Sequence, residues 1–442
     1  MGLLSFMILI RILNIADFGR WVLFVTPAAL VDMLRWGLTR DAIVRYLSSP
    51  NPEERKSYLG SSWILGIAIL IVISILLWIL ILIIPKTLAS SGYDIFCYWY
   101  PLYALVSMPW NYAWSILQAD LEFGKIFWLR SINLVSFLIV IFLAYLFFKI
   151  DTTLVVIMYV ITHTFTSIFC LFKKWTGGEH IKHFSMERAR TLLTYGQFSM
   201  LTRIGSSLLK GADSFIISFS AFLGPTGVAL YAIPLKYLDV IEIPLISFAN
   251  TAFPKLSKAS LENKVSEFKK LYYSYTGSIV YLFIVIAVIS FFLNKIFIRI
   301  LGGAQYLDSL DGISNILIVF IFYSLLLPLD RFTGVALDSL NKPQKNFYKI
   351  IWMACANITG DLVAVFGLHY FFPQWQVTTI LLFVAVASIF FSCIGLIVGY
   401  RFLKQEIEIS FLNIFKYGFN LYKAYAIRIR QIIRDRNIAD GH

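Results

Sequence analysis

From Ser57 to Pro85 the chain runs apolar without one charged side chain, and the stretches 95–119, 152–172 and 271–294 repeat the pattern. Crossing a bilayer takes roughly 20 such residues. Inside lipid every backbone N–H and C=O must be satisfied within the protein, which leaves helices and closed barrels. Barrel strands alternate apolar and polar residues, whereas these runs are apolar throughout, so a barrel is excluded. The rest of the composition agrees. Of 442 residues 59% are hydrophobic and 14% charged, against about 25% charged in a soluble domain. The chain is expected to be an all-α polytopic membrane protein.

Apolar runs read against breakers give about 12 transmembrane helices, at 1–13, 18–38, 62–84, 95–118, 130–148, 152–172, 192–220, 226–253, 271–294, 312–336, 347–370 and 377–400. Basic residues fill one alternating set of loops (39–61, 121–130, 173–190, 255–270 and 342–349) and the tail from Arg401. The other set holds only Arg20, Lys86, Lys149, Lys295 and Arg299. By the positive-inside rule both termini are cytoplasmic, and one span more or fewer would scramble the alternation. The net charge of +13 is therefore spread over short loops facing anionic inner-leaflet lipid, and no nucleic-acid partner is expected. Only ten residues precede Arg11, so the first span either begins part-way through a helix or is shorter than its neighbours.

The polar segment 174–191 divides the spans six and six. It separates an N-terminal lobe (1–173) from a C-terminal lobe (192–401), and a basic amphipathic cytoplasmic tail (402–442) follows. The halves echo each other. "LQADLEFGKIF" (117–127) and "LDSLNKPQKNF" (337–347) share Leu, Lys and Phe in register after the fourth span of each half, with Pro109 and Pro328 at similar depth. Two pseudo-symmetric six-helix bundles are the expectation, a plan common among secondary transporters that hold substrate near the bilayer midplane. In 254–273 the apolar Leu256, Leu261, Val265, Phe268 and Tyr272 recur at helical spacing, and the tail mixes aromatics with cations. Both read as interfacial helices on the inner leaflet. Cys97, Cys170, Cys355 and Cys393 lie in apolar runs without CxxC spacing, and packing is their expected role.

Charges at bilayer depth cost about 2.5–3.5 kcal/mol each on insertion scales and mark function. Six cations lie within spans: Arg11, Arg35, Arg203, Lys210, Lys236 and Arg331. Asp32 precedes Arg35 by three, Asp239 follows Lys236 by three, and Asp213 follows Lys210 by three, each spacing placing the pair on one helix face. Glu242 lies one turn beyond Asp239, and Asp330 and Asp361 are further acidic residues within spans. Each pair alone reads as a self-neutralising tie. As a set, the charges other than Asp330, Arg331 and Asp361 sit on the first, second, seventh and eighth spans, corresponding places in the two halves, and Arg203 shares a stripe with Lys210. That pattern suits a water-filled cationic cavity between two lobes, whose guest is an anion such as phosphate or carboxylate. Gly211 would let a neighbouring helix or the substrate approach closely. Partly desolvated carboxylates such as Asp213 and Glu242 are candidates for carrying a coupling proton.

No GxxxxGK[ST] phosphate loop occurs, and no nucleophile–base or paired-carboxylate motif points to an enzyme. His180 and His183 beside Glu179 offer a weak metal motif in a basic loop where solvated histidines are the commoner finding, so no metal site or cofactor is assigned. His163 and His369 are isolated polar groups within spans.

The stretches "RILNIADFGRWVLF" (11–24), "RIGSSLLKGADSFIISFSAFLGPTGVALYAIPLKYLD" (203–239) and "NTAFPKLSKA" (250–259) resemble those of the polysaccharide flippases, the O-antigen translocases of the multidrug/oligosaccharidyl-lipid/polysaccharide (MOP) exporter superfamily. Twelve spans resemble that branch more than the related lipid II flippases, which usually carry fourteen. The resemblance implies a MATE/MOP-like fold and residence in the bacterial cytoplasmic (inner) membrane. It implies a lipid-linked oligosaccharide substrate, carried on undecaprenyl pyrophosphate and flipped from the inner to the outer leaflet, with other polysaccharide-assembly proteins as partners. Arg203, Lys210, Lys236, Arg35, Arg331 and Arg11 would then face the pyrophosphate. Asp213, Glu242, Asp239 and Asp32 would be charge partners or carriers of a coupling H+ or Na+. A cation-coupled drug exporter of the same fold would need an anionic or apolar cavity. A membrane polysaccharide polymerase or glycosyltransferase would need a large extracytoplasmic loop, and the longest here is about 295–311. A non-transporting scaffold acting through the tail is the remaining alternative.

Overall fold

The computed structural model describes residues 2–37, 40–47, 52–120, 122–420 and 422–423, without the side chains of 41–42, 44–45 and 195–210. The described residues are helical apart from short connections, and none is in a strand. In chain order the first helices are α1 (Leu3–Ile12), α2 (Ile15–Gly37), α3 (Arg40–Leu47), α4 (Pro52–Ile83), α5 (Pro85–Ser91), α6 (Asp94–Ala119), α7 (Phe123–Phe147) and α8 (Thr152–Phe172). They continue with α9 (Met186–Ser218), α10 (Gly224–Leu261), α11 (Val265–Gly302), α12 (Leu310–Ser324), α13 (Leu327–Ser339), α14 (Pro343–Leu362), α15 (His369–Phe371) and α16 (Val377–Glu406). Residues 411–420 are helical as well. By length and composition, seven stretches among the described residues suffice to cross a membrane: α4, α7, α8, α11, α12 with α13, α14 with α15, and α16. The other expected spans correspond to α1, α2, α6, α9 and α10, which are shorter or carry more polar residues.

The chain packs as two compact units, Met1–Ala232 with Leu301–Leu307, and Ile233–Ile300 with Asp308–His442. The first holds α9 and the beginning of α10 in addition to α1–α8. In it α6 packs on α7 and α8, and in the second α13 packs on α14 and α16, with α14 against α16. These are the fourth, fifth and sixth spans of each half in the same arrangement. The shared register extends to individual hydrogen bonds. Asp120 and Glu122 donate their N–H groups to the carbonyls of Ile116 and Leu117, at 2.9 and 2.8 Å; Leu340 and Lys342 donate theirs to Ala336 and Leu337, at 3.0 and 2.9 Å. Both helices thus end in the same cap, which satisfies carbonyls that have no partner within the helix. Proline breaks the symmetry. α6 runs through Pro101 and Pro109 unbroken, whereas the equivalent span stops at Ser324 and restarts at Leu327 beside Pro328. A proline ring removes a hydrogen bond and clashes with the preceding turn.

Helix starts follow local chemistry. Asn14 caps α2 by accepting the Asp17 N–H at 2.8 Å, so α2 opens at Ile15, three residues ahead of the span expected from residue 18. Asp151 caps α8 through the Leu154 N–H at 2.8 Å. At the other end of α1, Gln305 donates its side-chain amide to the carbonyls of Ile10 and of Leu13. Gly19, Gly92 and Pro225 interlock: a Cβ at Gly19 would run into the Pro225 carbonyl, and Gly92, at φ +80°, faces the Pro225 ring.

The expected inner-leaflet helix at 254–273 is not a separate element. α10 and α11 are each 38 residues long, about 57 Å at 1.5 Å per residue, well beyond the ~30 Å of hydrocarbon. They meet in a turn where Asn263 takes a left-handed φ of +54° and Glu262 accepts from Lys264 at 2.7 Å. That bond holds the Glu262 carboxyl below its ordinary range. Leu256, Phe268 and Tyr272 are buried, while Leu261 and Val265 beside the turn are exposed, so this apolar face covers protein except at the turn. The tail likewise docks in its described part. Gly418 meets Gly277 backbone to backbone, Ile414 is buried, and the Ser410 N–H donates to the Tyr273 hydroxyl at 2.9 Å. Residues 424–442 lie outside the described residues. The loop expected at 39–61 is also structured, since α3 buries Ile43 and Leu47 and α4 begins at Pro52.

Gly19→Ala should lower the melting temperature in detergent, because overpacking against rigid backbone typically costs about 1–3 kcal/mol. Gly124→Ala, where a Cβ meets nothing within 4 Å, should leave it unchanged or raise it, as helix propensity favours alanine by up to ~1 kcal/mol.

Candidate functional site

In the first unit α2 presents Asp32 and Arg35 on one face, and the expected pair forms at 2.8 Å. Arg35 is 1% exposed. It also donates to the Ala104 carbonyl at 2.7 Å and to Ser107 Oγ at 3.4 Å, with its guanidinium 4.9 Å from the centre of the Trp36 ring. Asp32 accepts from the Tyr100 and Tyr103 hydroxyls at 2.9 and 3.3 Å. Positions 100, 103, 104 and 107 share one stripe of α6, so the ion pair ties α2 to α6. The aromatic content of the sixth span completes the wall. His163, buried in α8, donates Nδ1–H to the Tyr159 carbonyl at 2.8 Å, and its ring centre lies 4.2 Å from Tyr159 and 5.1 Å from Tyr103. His163 thus reaches the Asp32 network through Tyr103, a connection that its isolated place in the sequence does not signal.

Asp213 is buried and accepts from the Tyr231 hydroxyl at 2.8 Å, linking α9 to α10 within the first unit. Arg203 and Lys210 belong to α9, but their side chains lie outside the described residues. A Cβ at Gly211 would come 3.2 Å from its own neighbour Phe215 and 3.5 Å from Thr26 of α2. Gly211 therefore meets α2 at ordinary van der Waals distance, and its tighter contact is with the Phe215 ring of its own helix. Arg11 is exposed at the end of α1 and lies over Gly303, whose φ is +76°.

In the second unit Lys236 is buried and paired with Asp239 at 2.8 Å, as the spacing predicts, while Asp239 is 61% exposed. Glu242 is half-buried. Arg331 is exposed, and the buried cation nearby is Lys349, assigned from sequence to a basic loop. It donates to Asp330 Oδ1 at 2.8 Å and to the Asp330 carbonyl at 3.1 Å. Two signals mark it in retrospect. Pro343 begins α14, placing Lys349 in the second turn, and Gly399 leaves room for its methylenes against α16. Asp361 and Asn357 are buried one turn apart and hydrogen-bonded at 3.2 Å, just before the helix widens into a π-turn at Val363–Leu368. Such widenings are frequent at functional sites.

The Glu179–His180–His183 loop is a 3₁₀ turn packed on Gly60, with Glu179 and His180 3.8 Å apart. Among the described residues no three His, Cys, Asp or Glu side chains converge to hold a metal. Cys97 and Cys170 are buried, but Cys355 is exposed and Cys393 half-buried, so packing within the protein does not account for all four.

Truncating one member of a buried ion pair strands the other, a loss of about 3–5 kcal/mol, whereas replacing both by apolar residues is often neutral. Asp32→Ala should therefore depress the detergent melting temperature strongly, and adding Arg35→Met should restore most of the loss.

No curated protein sequence matches the chain. Several solved structures match its fold. The lipid II flippase MurJ in an inward closed conformation aligns with 97% of this chain and 90% of its own, at TM-score 0.70 and 18% identity. An inward-facing multidrug resistance MATE family transporter of the MOP superfamily aligns with 91% and 98%, at TM-score 0.70 and 15% identity. A MOP superfamily transporter from Pyrococcus furiosus, described as having a binding pocket of reversed polarity, follows at TM-score 0.59 and 14% identity, with 91% of each chain covered. The chain has the MOP fold of a multi-pass membrane protein. The family model described as "Polysaccharide biosynthesis protein" matches residues 1–260, more than half of the sequence, and the chain belongs to that family.

Proposed function

We propose that this protein is a flippase of the bacterial cytoplasmic membrane that moves an undecaprenyl-pyrophosphate-linked oligosaccharide, an O-antigen or similar repeat unit of lipopolysaccharide, between leaflets by alternating access. The observation that carries the reading is the polysaccharide-biosynthesis family match over residues 1–260. Its physical support is the set of cations placed inside the spans, beside as many carboxylates. Lys236 and Arg35 are buried cations, and Arg203 and Lys210 fall two turns apart on α9. A pyrophosphate calls for such cations at depth, with arginine forking two oxygens and lysine acting as a point charge. An exporter of cationic drugs calls for the opposite sign. Arg331 and Arg11 are exposed and serve this reading as peripheral contacts with the anion. Asp239 and Asp32 hold the cations in place, while Glu242 and Asp213 are the proposed carriers for a gradient of H+ or Na+. No covalent chemistry is required of the chain. Its proposed partners are the lipid-linked oligosaccharide, anionic inner-leaflet lipid near the basic loops, and other proteins of polysaccharide assembly.

Arg203→Ala combined with Lys210→Ala should abolish surface glycan in a strain that depends on the gene, with protein level and membrane insertion unchanged; normal glycan would remove these cations from the mechanism. Glu242→Gln should blunt the response of transport to an imposed pH gradient. A full response would exclude Glu242 as the carrier.

A further inference from the structure

A cavity of about 260 Å³ opens within the first unit where the α6–α7 turn, the segment after α8 and the first turns of α4 converge. The positive-inside pattern places all three on the cytoplasmic side. Its walls carry Arg55, Lys125 and Lys174 against Asp120, Glu122 and Glu179, with Trp175 and His180 beside them. Arg55 grips both oxygens of Asp120 at 2.7 and 2.8 Å, and Lys125 holds Glu122 at 2.9 Å. The charges balance, so an anion finds as much repulsion here as attraction. What remains is a rim of fixed donors and acceptors, an indole, and an apolar floor at Leu59 and Ile116.

The segment that presents Trp175 is built under constraint. Lys174 takes a left-handed φ of +55° and Gly177 one of +63°. A left-handed lysine is uncommon and needs surroundings that enforce it. Those are visible: the Trp63 indole N–H donates to the Thr176 carbonyl at 2.9 Å, and the Trp175 N–H donates to the Cys170 carbonyl at 3.1 Å. Gly177 fits against Leu59 and Ile116 where a Cβ would be 3.1–3.2 Å away. The backbone that carries the indole is thereby fixed, and the ring itself packs edge-on against Phe169 at 5.9 Å with the Lys125 ammonium 5.8 Å from its centre, so less ordering entropy is lost on binding.

We propose that this pocket binds a sugar ring of the glycan at the cytoplasmic surface, separately from the cations that take the pyrophosphate. A sugar offers an apolar C–H face and a rim of hydroxyls, which match an indole and charge-assisted hydrogen-bond partners respectively. The volume lies just under the roughly 300–1,000 Å³ of drug-sized pockets, and suits one monosaccharide. The proposal rests on the flippase reading above and names a subsite for its substrate.

The test uses the full chain in nanodiscs and, as probe, the repeat-unit oligosaccharide cleaved from the lipid carrier of the host cell, with affinity measured by titration calorimetry. Trp175→Ala should weaken binding by about tenfold, Trp175→Phe should stay within about threefold, and inorganic pyrophosphate should not displace the probe. Unchanged affinity in Trp175→Ala, displacement by pyrophosphate, or no binding to the wild type would overturn the proposal. Should Trp175→Ala fail to fold, Glu179→Gln and Lys174→Met at the exposed rim must lower affinity, and the proposal falls if they do not. Glycan export in cells lacking the gene separates the two ideas. Export that persists without the chain removes the flippase reading, whereas binding is scored on purified protein. Export that needs the chain, with Trp175→Ala binding as wild type, removes the pocket alone.

Discussion

A buried guanidinium has to find its partners within the protein itself, and the arrangement around Arg35 shows how much structure that demand recruits. One carboxylate, a backbone carbonyl, a serine hydroxyl and an indole face are supplied from α2 and α6. The carboxylate in turn needs Tyr100 and Tyr103. Tyr103 stacks on Tyr159 of α8, which carries His163 on the next turn. Three helices are fixed by one charge. Such networks hold a unique geometry because a half-satisfied version is worse than an apolar one. The second unit solves the same problem with Lys349 and Asp330, using a glycine on α16 to admit the lysine stem.

The two halves reproduce each other most faithfully where the chain turns. Caps ending α6 and α13 share two hydrogen bonds in register, although only three side chains of the surrounding eleven coincide. Backbone geometry outlasts side-chain identity here because a helix end imposes the same unsatisfied carbonyls whatever its sequence. The differences lie mid-span, where prolines at similar depth leave α6 whole and divide its counterpart into α12 and α13.

The span plan was legible because lipid imposes a coarse rule, and the described residues of the twelve apolar stretches are helical apart from their ends and the break at 325–326. The i,i+3 pairs at 32/35 and 236/239 were legible because helix geometry alone brings them together. Long-range partners were not. Nothing in the spacing of Lys349 points to Asp330, nothing near Asp213 points to Tyr231, and His163 joins Asp32 only through residues of α6. The amphipathic segment at 254–273 misled in an instructive way, since a helix face reads as apolar whether it covers lipid or protein. Lysines on its far side suit either solution.

The capping of α1 by Gln305 has a consequence for the order of events during synthesis. The residues joined are 292 positions apart. At translation speeds of roughly 5–20 residues per second, the carbonyls at the end of α1 wait about 15–60 s for their partner. By then all of α11 up to Ile300 has left the ribosome. The first unit therefore reaches its final form only after part of the second has been made, and until then water at the membrane surface has to satisfy the open end of α1.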